Sequence, residues 1–247
     1  MRILIANPNT TVSMTEKAAD AARAVAGHGT EIIAATSRNG PASIEGHYDG
    51  AIAVPGLLME IRAGQAAGAD AAVIACFDDT GLEAARTLAD IPVLGLCESA
   101  VMTAALLAQR FTVVTTLERS RILIENLIER YGMGSRAKVR AADIPVLDLE
   151  DKASGALVKL RRQIELALTE DGAEAIVLGC AGMADLAQAL QREYGVPVVD
   201  GVSAAVKQAE ALVSQGLTTS KRGSYAAPLA KPYTGSTQAL APGPASP

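Results

Sequence analysis

Short, almost continuously apolar runs alternate along this chain with longer Ala-rich stretches of mixed polarity. The runs are 2–6 (RILIA), 31–35 (EIIAA), 71–76 (AAVIAC), 92–96 (PVLGL), 111–115 (FTVVT), 175–180 (AIVLGC) and 197–200 (PVVD), with a weaker one at 138–146. Runs this short, bounded by turn residues and without polar alternation, predict strands buried on both faces. Between them the spacing predicts helices near 14–26, 55–68, 81–89, 98–108, 119–131, 155–170, 185–193 and 203–215. This strand–helix alternation predicts an α/β fold built on parallel sheets covered by helices.

One passage occurs twice. Residues 68–76 read GADAAVIAC and residues 172–180 read GAEAIVLGC, each ending on a cysteine. Each is followed by a helix-like stretch and a second apolar run, DIPVLGL (90–96) and GVPVVDG (195–201). RILIANPN (2–9) likewise parallels RFTVVTTL (110–117), so the offset between copies is 104 at the cysteines and 108 at the earlier run. Loop-length differences produce such a drift between two copies of one supersecondary plan. The expectation is two pseudo-symmetric lobes, each a short parallel sheet flanked by helices. Residues 1–97 plus 205–247 form the first lobe and 98–204 the second, with the active site at their interface. From Thr218 onward the chain is dense in Pro, Gly, Ser and Ala and loses its period, as an irregular surface segment does. Tyr225 and Tyr233 are the residues in it that can pin it to the body or to a neighbour.

Composition narrows the function classes. Hydrophobic residues make up 49% and charged residues 20%, with a net charge of −5. Without basic clusters interleaved with aromatics, nucleic acid is not an expected partner. Neither is a membrane, since no run approaches the roughly 18 apolar residues of a span. The start, MRILIANPNTT, reads as a strand rather than a signal peptide. Three widely spaced cysteines without an export signal read as reduced thiols of a cytoplasmic protein. A homo-oligomer is the ordinary expectation for such a protein.

Ligands of open parallel sheets sit beyond the carboxyl ends of the strands. Four segments fall there: ANPNTT (6–11), CFDDTG (76–81), TTLERS (115–120) and GCAGMAD (179–185). As two pairs from two copies, they can converge on one cleft. Cys76 and Cys180 each occupy a strand-to-helix turn, where a helix dipole lowers a thiol pKa toward neutrality. Thr80–Glu83 has capping-box spacing and Asp185–Gln188 a looser version of it. Gly179 and Gly182 let the backbone pass close to a ligand. A lone cysteine on an apolar run is usually a small buried hydrophobe, which is the reading taken for Cys97. The matched placement of Cys76 and Cys180 points instead to function.

Several chemistries lack their other parts. There is no CxxC, no GxGxxG and no P-loop, and His28 and His47 fall in no motif. Two cysteines and scattered histidines make no zinc pattern, so no metal is expected. No lysine falls in the four loops to hold an electron-sink cofactor, so no cofactor is expected. General acid–base work remains: one thiolate takes a proton from carbon and the opposed thiol returns one on the other face.

NPNTT (7–11), GPASIEGHYD (40–49), IACFDDTGL (74–82), VVTTLERS (113–120), IVLGCAGMADL (176–186) and PVVDGVSAAVK (197–207) together resemble the hydantoin/allantoin racemases. These are a branch of the aspartate/glutamate racemase superfamily, and the resemblance runs to about residue 235. It implies a cofactor-independent racemase of two lobes in which Cys76 and Cys180 act on opposite faces of the ring carbon C5. It also implies ligand-lining roles for Asn9, Ser43, Ile44, Thr116, Gly179 and Gly182. Phe77, Asp78, Thr80 and Ala181, which flank the cysteines, complete the candidate substrate-binding set.

The family commonly carries Gly-Asp-Pro-Gly where this chain has Asp78-Asp79-Thr80-Gly81. Asp78 is expected to face solvent or cap the following helix. Pointing inward, it would raise the Cys76 pKa and could accept a hydrogen bond from a ring or ureido N–H. Among the four loops only Arg119, at an expected helix start, is basic. That suits a neutral cyclic ureide, a 5-substituted hydantoin with allantoin among the candidates, better than a free amino acid whose carboxylates want cationic partners. An amino-acid racemase or related isomerase of the superfamily, and a non-catalytic small-molecule binding protein, are the alternatives. The superfamily's decarboxylases keep only the second cysteine, and both are present here.

Overall fold

The computed structural model describes residues 1–151 and 153–242. Two four-stranded parallel sheets form the frame. The first holds β1 (Arg2–Asn7), β2 (Glu31–Thr36), β3 (Ala71–Ile74) and β4 (Val93–Gly95) in the order β2-β1-β3-β4. The second holds β5 (Phe111–Thr115), β6 (Ala137–Ala141), β7 (Ala175–Gly179) and β8 (Val198–Asp200) in the order β6-β5-β7-β8. The two orders are the same, which is the repeat of the sequence in three dimensions. In each, the chain steps outward from the first strand to the second and then returns past it to the third. The switch in direction therefore lies between β1 and β3, and again between β5 and β7, where crevices open at strand carboxyl ends.

Parallel neighbours need helical crossovers, supplied by α1 (Val12–Val25), α2 (His47–Ala66), α3 (Leu82–Leu88), α5 (Glu118–Arg130), α6 (Ala156–Glu170) and α7 (Ala187–Tyr194). Two further helices cross the seam. α4 (Leu96–Leu107) leaves the first sheet and packs on β7, β8 and α5, while α8 (Gly201–Ser214) leaves the second and packs on β3, β4 and α1. Their starts touch: a Cβ on Gly201 would lie 2.7 Å from Leu96 Cβ and 2.8 Å from Leu96 O. Only glycine allows this approach.

Side-chain alternation along the strands divides the core. Ile3, Ile5 and Val73 of the first sheet join Phe111, Val113 and Val177 of the second in one continuous cluster under α4 and α8. Leu4, Ala6 and Ile74 turn the other way onto α2 and α3, as Val114, Ile176 and Leu178 turn onto α6 and α7. The shared cluster holds the lobes together. Cys97 lies in it with no exposed surface, as a small hydrophobe.

The expected elements form, with instructive shifts. α2 begins at His47 rather than Pro55, and Pro55 stands inside it. Proline suits a first helical turn. Here the helix instead extends back to Gly46, whose φ of 133° few other residues would adopt. β6 stops at Ala141, before Asp143 takes a positive φ of 51°. The segment beyond Thr218 lies along α3: Lys221 Nζ donates to Arg86 O at 2.8 Å and Thr87 O at 3.0 Å, and Tyr225 Oη to Glu83 Oε2 at 2.6 Å. Among the described residues, no helix is long and apolar enough to cross a membrane.

Candidate active site

β3 and β7 end two and one residues before Cys76 and Cys180, so the pairing of each strand with its neighbours aims both thiols past the carboxyl edges. They line one cleft, together with Asn9, Ile44, Phe77, Asp78, Thr116, Gly179 and Ala181. All four expected loop segments contribute. Three expected residues do not form the wall. Thr80 stands behind it and donates its hydroxyl to Cys76 Sγ at 3.3 Å. Gly182 gives its backbone N–H to Cys180. Ser43 turns to Glu45, donating to Oε1 at 3.3 Å.

The sequence reading omitted Met14, Ala75, Thr115, Ser120 and Val146, which also line the cleft. The repeat held a signal for most of them. Met14 and Ser120 stand 106 apart, within the offset range of the duplicated passages, at the first turns of α1 and α5. Ile44 and Val146 stand 102 apart, in the loops after the second strand of each sheet. The wall is thus made of pseudo-symmetric pairs.

Local sequence explains how the first loop is held. Asn7, buried, donates from Nδ2 to Asn9 Oδ1 at 2.9 Å and to Thr15 Oγ1 at 2.9 Å. Its own Oδ1 accepts from Asn9 N at 3.1 Å, and Asn9 Oδ1 also accepts from Thr11 N at 2.9 Å. These interlocked Asx turns occupy the Asn9 oxygen and leave its Nδ2, near Met14 Sδ at 3.6 Å, as the donor facing the cleft. Across the cleft, Gly179 is required by backbone proximity, since a Cβ there would sit 3.0 Å from Thr115 Cα.

The electrostatics overturn one expectation. Burial pushes both thiols up rather than toward neutrality: Cys180 to about 11 and Cys76 further still. After burial, the Asp78 carboxylate is the largest influence raising Cys76, while the Thr80 hydroxyl and the Asp78 N–H work against it. Cys180 is lowered by the Gly182 N–H, raised by Asp78 and lowered again by Lys17. The helix starts are too far away to help. α3 begins at Leu82, and a 3₁₀ turn over Ala181–Leu186 separates Cys180 from α7. Neither capping box forms, because Gly81 and Leu186 occupy the cap positions without side-chain bonds.

Asp78 is half-buried and caps no helix: it lines both the thiol cleft and an adjoining cavity of about 450 Å³. Burial first, and then the Asp79 charge, push it up to about 7. The cap is Asp79, and the helix is α4: its two oxygens accept from Cys97 N and Glu98 N, both at 2.9 Å. Tyr131 Oη also donates to Asp79 Oδ2 at 2.6 Å. These bonds hold Asp79 at a positive φ of 47° and offset the burial that raises its carboxyl to about 6. His28 and exposed His47 stand outside the thiol cleft, His47 on the rim of the adjoining cavity. Among the described residues, no group of three or more His, Cys, Asp or Glu is placed to hold a metal ion.

The profile of the Asp/Glu/Hydantoin racemase family matches residues 3–209. A hydantoin racemase of Rhizobium meliloti is 52% identical over 236 residues, 95% of this chain and 98% of its own length. The structure of allantoin racemase from Klebsiella pneumoniae superposes with a TM-score of 0.95 at 53% identity, over 98% of this chain and 99% of that one. A glutamate racemase of Bacillus anthracis, at 16% identity, shares the fold with a TM-score of 0.64 over 87% of this chain and 81% of its own. With its doubled sheet and a thiol at the same edge of each copy, this chain belongs to the Asp/Glu/Hydantoin racemase family.

Proposed function

We propose that the protein is a cofactor-independent racemase that inverts C5 of 5-substituted hydantoins, allantoin among them, by proton transfer between Cys76 and Cys180. The carrying observation is that both thiols line one cleft from equivalent positions in the two lobes. They are close enough for a charged Cys180 to raise Cys76.

One sulfur, as thiolate, takes the C5 proton; the electron pair delocalises onto the neighbouring ring carbonyl; the opposed S–H delivers a proton to the other face. The two sulfurs end with exchanged protonation states. Burial makes the thiolate scarce at neutral pH but more basic once formed, which favours abstraction from a weak carbon acid. Asn9 Nδ2 and backbone N–H groups of the four loops are the donors available to the developing oxyanion. Asp78 accepts a hydrogen bond from a ring or ureido N–H, and Phe77, Ile44 and Ala181 supply apolar wall. No lysine or arginine lines the described cleft, and Arg119 is exposed, which supports a neutral cyclic ureide over an amino-acid carboxylate.

In this reading the lobes are residues 1–97 with 205–247 and residues 98–204, of which 152 and 243–247 lie outside the described residues, and reaction occurs at their seam. The protein works in the cytoplasm as a homo-oligomer, a setting that suits three free cysteines. The test is purified protein with L-5-benzylhydantoin in D2O and no added cofactor, beside an enzyme-free blank. Decay of optical rotation with deuterium appearing at C5 is the expected result. Inertness toward both this substrate and allantoin would move the reading to an amino-acid racemase or a binding protein.

A further inference from the structure

The lobes repeat, but the charges around the two sulfurs do not. Lys17 of α1, a helix of the first sheet, reaches across the seam to Asp185 Oδ1 at 3.3 Å. Asp185 belongs to the 181–186 turn that starts directly after Cys180, and α1 packs along that turn. Lys17 and Asp185 face a cavity of about 560 Å³ whose wall includes Leu149. Leu149 in turn covers Gly182, the residue whose N–H bonds Cys180. The ammonium is therefore held over the Cys180 turn by its own counter-ion.

On the other side the corresponding positions carry no such pair; α5 meets the first lobe through Arg130, whose Nη2 lies 3.2 Å from Glu83 Oε1 of α3. At the offset of 106 that relates Met14 to Ser120, Lys17 corresponds to Leu123 of α5. At the cysteine offset of 104, Asp185 corresponds to Gly81. Leu123 and Gly81 do meet around one cavity beside Asp78, which the Arg130–Glu83 pair also lines. The contact between helix and cysteine loop is repeated, but its ion pair joins the following helix rather than the turn after the cysteine. Among the described residues, no cation acts on Cys76 as Lys17 does on Cys180. Cys76 instead has the Thr80 hydroxyl and the Asp78 carboxylate as neighbours.

We propose that Lys17 is a positioning residue that makes Cys180 the thiol of the pair that ionises first, leaving Cys76 as the proton donor. This rests on the two-thiol reading above. On substrate binding the Cys180 thiolate takes the C5 proton and Cys76 S–H delivers its own, leaving Cys180 protonated and Cys76 charged. The charged and titratable groups around Cys180 are Lys17 from α1, Asp78 and Cys76 from the facing loop, Asp185 on its own turn, and Asp151 from the wall of the Lys17 cavity. Lys17 is the cation of that set, and Cys180 is the less strongly raised of the two thiols.

The test is iodoacetamide alkylation followed site by site with peptide mass spectrometry across pH, in the full-length protein. Lys17→Met should slow Cys180 alkylation at fixed pH by about threefold, a midpoint shift of about half a unit upward. Asp185→Asn removes the counter-ion and keeps the ammonium, so it should speed Cys180 by a similar factor. A merely structural ion pair is broken by both variants, which would then move Cys180 in the same direction. That outcome, or no movement in either, overturns the proposal. Lys17→Arg should restore the original profile. Cys97, fully buried, reports unfolding by becoming labelled; if Lys17→Met unfolds, the direction of Asp185→Asn decides alone. Failure of the two-thiol reading shows separately, as racemisation that survives Cys180→Ser.

Discussion

The loops after β3 and β7 occupy the same place in two sheets of one strand order, yet they are held by different physics. The Cys76 loop is a polar knot. Asp79 ties it to the first N–H groups of α4 and to Tyr131, and Thr80 ties it to the thiol itself. There is no slack behind it, since a Cβ on Gly95 would fall 2.4 Å from Asp79 Cγ. The Cys180 loop is a 3₁₀ turn anchored by apolar packing, with Met183 fully buried in the outer core of its lobe. Its charged contact, with Lys17, comes from the other lobe. The duplication copies backbone and thiol. Burial raises both thiols, and side chains that were not copied make them differ.

The largest effect should come from removing either member of the pair. Cys76→Ser or Cys180→Ser is expected to lower racemisation by about 10²–10⁴-fold. Each single variant should still exchange the C5 hydrogen of one enantiomer with D2O, and a different one for each variant. Equal exchange of both enantiomers with racemisation intact would break the symmetric division of labour.

Loosening the polar knot comes next. Asp79→Ala leaves the first N–H groups of α4 and the Tyr131 hydroxyl without their acceptor, at a cost of about 2 kcal/mol. For a chain of this length that corresponds to a fall of about 4–8 °C in Tm, measurable by thermal unfolding. Cys76 alkylation should accelerate in the same variant while Cys180 changes little.

The carboxylates also set a pH dependence. Asp78 and Asp79 are raised from 3.8 to about 7 and about 6 in the folded protein. A raised folded pKa means that the folded state holds its proton more tightly. The stability this provides is complete below about pH 4 and is lost as pH rises through 6 to 7. Asp78→Asn removes part of that loss, so it should raise Tm at pH 8 by about 2 °C and leave Tm at pH 4 nearly unchanged. It should also speed alkylation of Cys76 more than of Cys180, because the carboxylate weighs more heavily on Cys76. An equal effect on both thiols would place Asp78 symmetrically between them.

The smallest effect is expected at the apolar turn. A Cβ on Gly182 would meet Leu149 Cδ1, the movable end of a side chain, at 3.1 Å. Gly182→Ala should therefore cost under about 1 kcal/mol, read as a Tm shift within about 3 °C. A large loss would show that the Cys180 turn is as tightly determined as the Cys76 knot.

Much of this site was legible in the chain. The two cysteines were read from the duplicated strand ends, Phe77, Asp78 and Ala181 from their flanks, and Asn9, Ile44, Thr116 and Gly179 through the family resemblance; all lie in the cleft wall. Ser43, Thr80 and Gly182 were read as lining and stand beside or behind it, because a hydroxyl or a glycine in a loop has local partners that compete for it. Met14, Ser120 and Val146 went unread although the repeat pairs each with a counterpart in the other copy.

By itself the sequence determined what depends on neighbours along the chain: apolar runs that must be strands, their helical crossovers, and a duplication that places one thiol at the same edge of each sheet. Strand burial and amphipathic periodicity are local properties, and so they survive being read in one dimension. Tertiary structure decided the rest. It made Asp79 the cap of a helix that starts 17 residues later, turned Asp78 inward, brought Lys17 to the Cys180 turn, and raised both thiols where local reasoning lowered them. Charge, desolvation and hydrogen bonding act through space, between segments whose meeting no local pattern encodes.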